Sequence, residues 1–225
     1  MTHALVRSVP DSALTLSGVE LGRGETLTVS EADADSLLYV FGGEGAARFE
    51  DEHELAPGAA VLVLAGEQAE ISAGSRLRAV LATVGPEADR HAPLGPREHV
   101  ARLADAEARR ATGARSFQIL FGPGNGSTRA TLFVGFIPPG KAPWHYHVYD
   151  EIVWVPEGPG RLHIGDRTDE LGPGSAFRLR PREVHIVENA SPDRELAILG
   201  IFTPAGSPSA AYLAPEVAAE YRFAG

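Results

Sequence analysis

The sequence predicts an all-β protein built from two tandem barrels, and three observations carry that expectation. Apolar residues alternate with a period of two in short segments such as SLLYVFGG, AAVLVLA, ATLFVGFI, EIVWVPEG and LAILGIF. Gly, Pro and Asp turns separate these segments at short intervals, as in a β-sandwich or barrel. The pattern also repeats. LYVFGGEGAARF at 38–49 lies over VWVPEGPGRLHI at 153–164, and ELAPGAAVLVLAGE at 54–67 lies over ELGPGSAFRLRPRE at 170–183, offsets of 115 and 116 residues.

Taken in order, the first barrel spans 1–86 and closes on AVLATVGP, and the second spans 116–225 and closes its strands on AILGIFTP before a C-terminal tail. Each duplicated unit holds roughly 80 residues, a small-domain size. Between them, 87–115 reads as a helical linker. In PREHVARLADAEARRA at 96–111, Pro96 suits a first turn, Val100, Leu103, Ala104, Ala108 and Ala111 form one stripe, and Gly113 offers a left-handed stop. A shorter helix is expected over 214–221. The Gly-Pro-Gly-Asn-Gly run within 117–130 reads as a hairpin turn, since no Lys-Ser/Thr and no helix follow it as a phosphate loop requires.

Composition excludes several classes of function. The formal net charge of −10 argues against a nucleic-acid partner, which calls for clustered Lys and Arg. Without cysteine, any metal must be held by nitrogen and oxygen. No stretch has the apolar length of a membrane span and the N-terminal residues lack a signal-peptide core, so a soluble cytoplasmic protein is expected.

The chemistry concentrates in KAPWHYHVYDEIVWVPEG, 141–158. On a strand, His145, His147, Tyr149 and Glu151 project to one side. Two imidazoles so spaced can converge on one ion, with Glu151 supplying an anionic oxygen and His185 arriving from a distant strand. The plainer alternative is a set of hydrogen-bonded histidines on an antiparallel strand. At the same offsets the first copy carries Ser30, Ala32, Ser36 and Ala69, which are not metal-ligand types. Nearby, Tyr149 is a candidate proton donor or packing residue, and Phe177 and Leu179 are candidate pocket walls. Arg161, Arg178, Arg180 and Arg182 are candidate carboxylate holders or solvated charges. His163 falls on the opposite parity from Leu162 and Ile164, away from the pocket, and Trp144 and Trp154 share the face opposite the ligands.

These residues resemble the two motifs of the cupin family. Gly140, His145, His147, Glu151 and Gly158 match the first, and Gly174, Pro181, His185 and Asn189 match the second, with Glu183 where the family usually has Gly. The chain is therefore similar to a two-domain cupin, a pair of double-stranded β-helix or jelly-roll barrels with the metal site in the C-terminal one only. The resemblance implies one divalent transition metal (Mn, Fe, Ni, Co, Cu or Zn) on His145, His147, Glu151 and His185. Four protein ligands on an octahedral ion leave two positions open. It implies a small-molecule substrate, with Glu151 and Tyr149 as catalytic candidates, and either a monomer with an internal barrel pair or a homodimer. A dioxygenase-type oxidoreductase is the leading activity. A redox-neutral hydrolase or isomerase and a non-catalytic ligand-binding protein are the alternatives.

Overall fold

The structure is a computed structural model that describes residues 7–8, 12–111 and 114–213. Their order is almost entirely β, as the period-two pattern requires. The strands are β1 (Arg7–Ser8), β2 (Leu14–Leu21), β3 (Thr26–Ser30), β4 (Asp35–Gly42), β5 (Gly45–Arg48), β6 (Glu52–Leu55), β7 (Ala59–Val63), β8 (Gln68–Ala73), β9 (Leu77–Val84) and β10 (Val100–Arg102). They continue with β11 (Ala108–Arg110), β12 (Ser116–Phe121), β13 (Thr131–Ile137), β14 (His145–His147), β15 (Asp150–Val155) and β16 (Gly160–Ile164). The last are β17 (Arg167–Leu171), β18 (Ser175–Leu179), β19 (His185–Asn189), β20 (Leu196–Thr203) and β21 (Ala211–Leu213). Among the described residues, no helix is long and apolar enough to cross a membrane.

The chain divides into two compact units. One comprises Met1–Ala106, Ile119–Leu132 and Phe202–Gly206, and the other Glu107–Gln118, Phe133–Ile201 and Ser207–Gly225. The repeat seen in the sequence reappears as topology. The first unit contains the order β2-β9-β4-β7 in one sheet and β3-β8-β5-β6 in another. The later strands give β13-β20-β15-β18 and β14-β19-β16-β17, the same two orders eleven strands on.

Alternation buries one face of each strand. In the first unit Val19, Val29, Leu38, Val40, Val61, Ile71 and Leu77 make a closed apolar core, joined by Phe49 and Val100. In the second, Ile137, Val153, Val155, Leu162, Leu179, Val187 and Ile198 do the same, with Phe177 packed against them. Each fully buried aliphatic side chain contributes on the order of 2 kcal/mol.

The linker corrects the sequence reading. Residues 96–111 form no helix: Val100, Ala101 and Arg102 pair with Val61, Ala60 and Ala59, and Ala108, Arg109 and Arg110 pair with Gln118, Phe117 and Ser116. The helical stripe was thin, with only Val100 and Leu103 of any size, and an isolated helix of this length is marginal in water. Edges of β7 and β12 offer backbone hydrogen bonds, and Val100 gains a place against the core, so pairing wins over propensity. The helix expected over 214–221 lies outside the described residues. The Gly-Pro-Gly-Asn-Gly run does join β12 to its neighbour β13, through a 3-10 turn at Pro123–Asn125 followed by Gly126 at φ 99°.

Candidate metal centre

The ligand strand is not continuous. His145 and His147 stand on β14 of a five-stranded sheet, the chain bends at Val148 and Tyr149, and Glu151 stands on β15 of a six-stranded sheet. The expected single strand is thus two strands of two sheets, and the cavity lies where both contribute. His185 on β19 pairs directly with His145, while Leu179 on β18 pairs with Glu151. All four candidate ligands are buried, none more than 4% exposed.

The motif residues outside the ligand set build the frame. Gly140, at φ 105°, exchanges both backbone hydrogen bonds with Asn189, at 2.9 and 3.1 Å. The buried Asn189 amide donates to the Ile137 and Arg194 carbonyls at 2.8 and 2.6 Å, and its oxygen accepts from Ser191 N–H at 2.9 Å. Where the family pattern has Gly, the Glu183 carboxylate accepts the Arg180 N–H at 3.0 Å and closes the turn. The left-handed residue is its neighbour Arg182, at φ 65°, whose N–H donates to the His147 carbonyl at 2.7 Å.

Each imidazole is oriented by a backbone carbonyl. Nδ1 of His145 lies 2.9 Å from the Pro143 oxygen, Nδ1 of His185 2.8 Å from Glu183, and Nδ1 of His147 a longer 3.4 Å from Tyr149. A carbonyl only accepts, so Nδ1 of His145 and of His185 carries the proton and their Nε2 atoms present lone pairs. The rings gather, with His185 4.5 Å from His145 and 4.9 Å from His147 by centroids. Burial first, then the Arg115 charge, lowers His145 to about 4. His185 is held well below its ordinary value by burial and then by the other two histidines. Both are therefore neutral at neutral pH.

His147 Nε2 lies 3.0 Å from Glu151 Oε2. At this distance the carboxylate oxygen accepts a hydrogen bond from Nε2. The donor set in kind, three imidazoles and one carboxylate, suits a divalent transition ion. In the arrangement recorded, no three His, Asp or Glu side chains among the described residues surround a single point as a bound ion would require. Arg115 stands in their midst, its Nη1 and Nη2 each 3.4 Å from His145 Nε2.

The cavity has a volume of about 70 Å³ and is lined by the four candidate ligands, Arg115 and Tyr149, with an apolar wall that includes Phe117, Phe133, Leu179 and Ile198. Tyr149 stacks on His147 at 4.1 Å and donates to the Pro208 carbonyl at 3.5 Å. Burial, then the Glu151 charge, pushes its phenol upward, so it is a neutral donor. Leu179 lines the cavity, whereas Phe177 packs in the adjoining core.

His163 sits off the cavity, its Nε2 2.6 Å from Glu188 and its Nδ1 2.9 Å from Thr168. Trp144 presents its ring at 74° to His163, and Trp154 is buried. Of the four candidate arginines none lines the cavity. Arg178 forks onto Asp150 at 2.6 and 2.9 Å, and Arg161 pairs with Glu170 and Glu188. The arginine that does line it, Arg115, escaped sequence reading because it lies in the stretch taken as linker, one residue before β12.

In the first unit the register shows which residues correspond. Ala69 pairs with Val29 as His185 pairs with His145, so the counterpart of His145 is Val29 in the apolar core and not Ser30. A one-residue shift exchanges the faces of a strand. Ser36, opposite Val63, keeps its place as the counterpart of Glu151 opposite Leu179.

Comparison with known proteins agrees with the fold. The Cupin domain family matches residues 132–202. The L-ectoine synthase of Rhodococcus opacus is 41% identical over 63 residues, 27% of this chain, and the match spans 46% of that relative's length, about half. Oxalate decarboxylase of Bacillus subtilis, described with Mn(II) centres, superposes with a TM-score of 0.74 over 95% of this chain and 76% of its own at 15% identity. A Cupin 2 conserved barrel protein from Leptotrichia buccalis gives 0.63 over 90% and 89% at 16% identity. The class defined by these barrels is the cupin fold. Residues 132–202 match the Cupin domain family, and the chain has the cupin fold.

Proposed function

We propose that the second unit is a metal-dependent enzyme acting on a small organic substrate, with the ion held by His145, His147, Glu151 and His185. The observation that carries this reading is the gathering of three imidazoles, with Nδ1 of His145 and His185 on backbone carbonyls and Nε2 of His147 on the Glu151 carboxylate, in one buried cavity. A bound divalent ion supplies Lewis acidity and open positions for substrate. The chain's own residues do the rest. The apolar wall excludes water, Tyr149 offers a neutral O–H, and Glu151 is the group able to accept a proton when its contact with His147 is exchanged.

Of the possible reactions, the redox-neutral alternative is placed first. The relatives whose activities are named, L-ectoine synthase and oxalate decarboxylase, are not dioxygenases by name. Dioxygenation is kept as the second reading because the His, His, Glu, His set beside an apolar wall also suits it. Substrate screening on the metal-loaded protein, with an oxygen electrode run in parallel, decides between them. Turnover without oxygen uptake is expected; uptake stoichiometric with product transfers the assignment to dioxygenation.

A further inference from the structure

We propose that Phe133 sets the size of the molecule that the cavity admits, and that this molecule is a compact alcohol, with a hydroxyl for the imidazoles and hydrocarbon for the facing wall. This rests on the reading of the cavity as a substrate site above, and on no bound ion. Three observations support it.

The first is where the ring lies. Phe133 stands on β13, and the far edge of its ring reaches over the main chain of β13 and β20, where Gly135 and Gly200 leave room. A Cβ at Gly200 would strike ring atoms Cε1 and Cζ, and one at Gly135 would stand 3.4 Å from Cε2 and 3.1 Å from Ile198 Cγ1. Neither glycine has a positive φ, so the backbone conformation does not call for either. A glycine inside a strand forfeits packing and marks a close approach. Here the approach is that of the Phe133 ring, which takes space that two side chains would otherwise fill and lines the cavity from there.

The second is that the ring is fixed. Phe117 meets it edge to face, at 6.3 Å and 82°, and Phe133 is 7% exposed. A ring packed in this way limits an occupant by its bulk. The third is what faces it. Phe117, Phe133 and Ile198 come from β12, β13 and β20 of the six-stranded sheet, and His145, His147 and His185 from β14 and β19 of the five-stranded one. Nδ1 of His185 donates to the Glu183 carbonyl, so its Nε2 is an acceptor. An occupant thus meets an acceptor from one sheet and hydrocarbon from the other, in a volume of about 70 Å³ that holds a few heavy atoms. A phenyl group enters only where the Phe133 ring has been removed.

The test uses full-length protein with 2-propanol and benzyl alcohol as probes. Saturation-transfer NMR titration of the protein as purified gives the affinity of each. The imidazole nitrogen shift of His185 in chelator-treated protein, assigned by its loss in His185→Gln, reports where they bind. The wild type is expected to prefer 2-propanol, against the order of hydrophobicity, and to show a shift at His185. Phe133→Ala is expected to reverse the preference, binding benzyl alcohol about tenfold or more tightly than the wild type does, with the shift at His185 kept. Phe133→Leu is expected to fall between the two. Thermal unfolding establishes that the variants are folded; were Phe133→Ala unfolded, Phe133→Leu carries the test through a several-fold fall in the preference for 2-propanol. A wild type that prefers benzyl alcohol, a preference unchanged in the variants, benzyl alcohol bound without a shift at His185, or no binding of either alcohol overturns the proposal. Elemental analysis of the same preparations is a separate result: absence of metal counts against the metal-dependent reading, and the alcohol preferences still decide the role of Phe133.

Discussion

His147 and Glu151 meet at 3.0 Å through Nε2 and Oε2 although they belong to two different sheets, β14 and β15, with the chain bent at Val148 and Tyr149 between them. The bend is what lets one short stretch of sequence supply candidate ligands from two sheets. A straight strand would have put all three side chains in one row along a single sheet.

The carboxylate end of that contact is held in place by packing. A Cβ added at Gly200 would come within 2.6 Å of Glu151 Oε1 and would also strike the Phe133 ring. Gly200→Ala is therefore expected to displace Glu151, lowering metal content and costing about 1–3 kcal/mol of stability. Elemental analysis and denaturant unfolding of the same preparation check both effects.

Asn189 contributes differently, by tying β19 to the end of β13. Its buried amide makes three hydrogen bonds to backbone groups, and Asn189→Ala strands those partners. The expected loss is about 2–4 kcal/mol in urea unfolding. Because Asn189 has no hydrogen bond to a candidate ligand side chain, the folded fraction is expected to keep the wild-type metal content.

Acid stability is expected to depend on Glu188. Burial pushes its carboxyl up, but the His163 hydrogen bond together with the Lys141 and Arg161 charges outweighs burial and holds it below the ordinary value of 4.5. A carboxyl depressed in the folded state contributes stability that is present above its unfolded value and is lost as pH falls through the folded value. Glu188→Gln should flatten that acid limb and leave the curve above pH 6 parallel to wild type, as measured by thermal unfolding across pH.

Much of this was legible in the sequence. The duplicated turns at 54–58 and 170–174 fixed both the fold class and the copy offset, because Gly58 and Gly174 occupy left-handed turns that few other residues tolerate. His145, His147, Glu151 and His185 stood out by residue type, and all four line the cavity. What stayed hidden depends on tertiary pairing. The linker's apolar stripe could be read as helix because nothing local shows that β7 and β12 have edges to fill. Arg115 carries no motif, and its place in the cavity follows from β12 lying beside β13 in the sheet. The bend at Val148 and Tyr149 leaves period-two parity intact on both sides, so the sequence pattern passes through it unmarked.

The central claim is that four side chains hold one metal ion, and elemental analysis of purified wild type beside the His145→Ala and His185→Ala variants tests it most directly. About one equivalent of transition metal per chain in the wild type, falling to a small fraction in either variant with the fold retained, is the expected result. Wild-type metal content in both variants would contradict it.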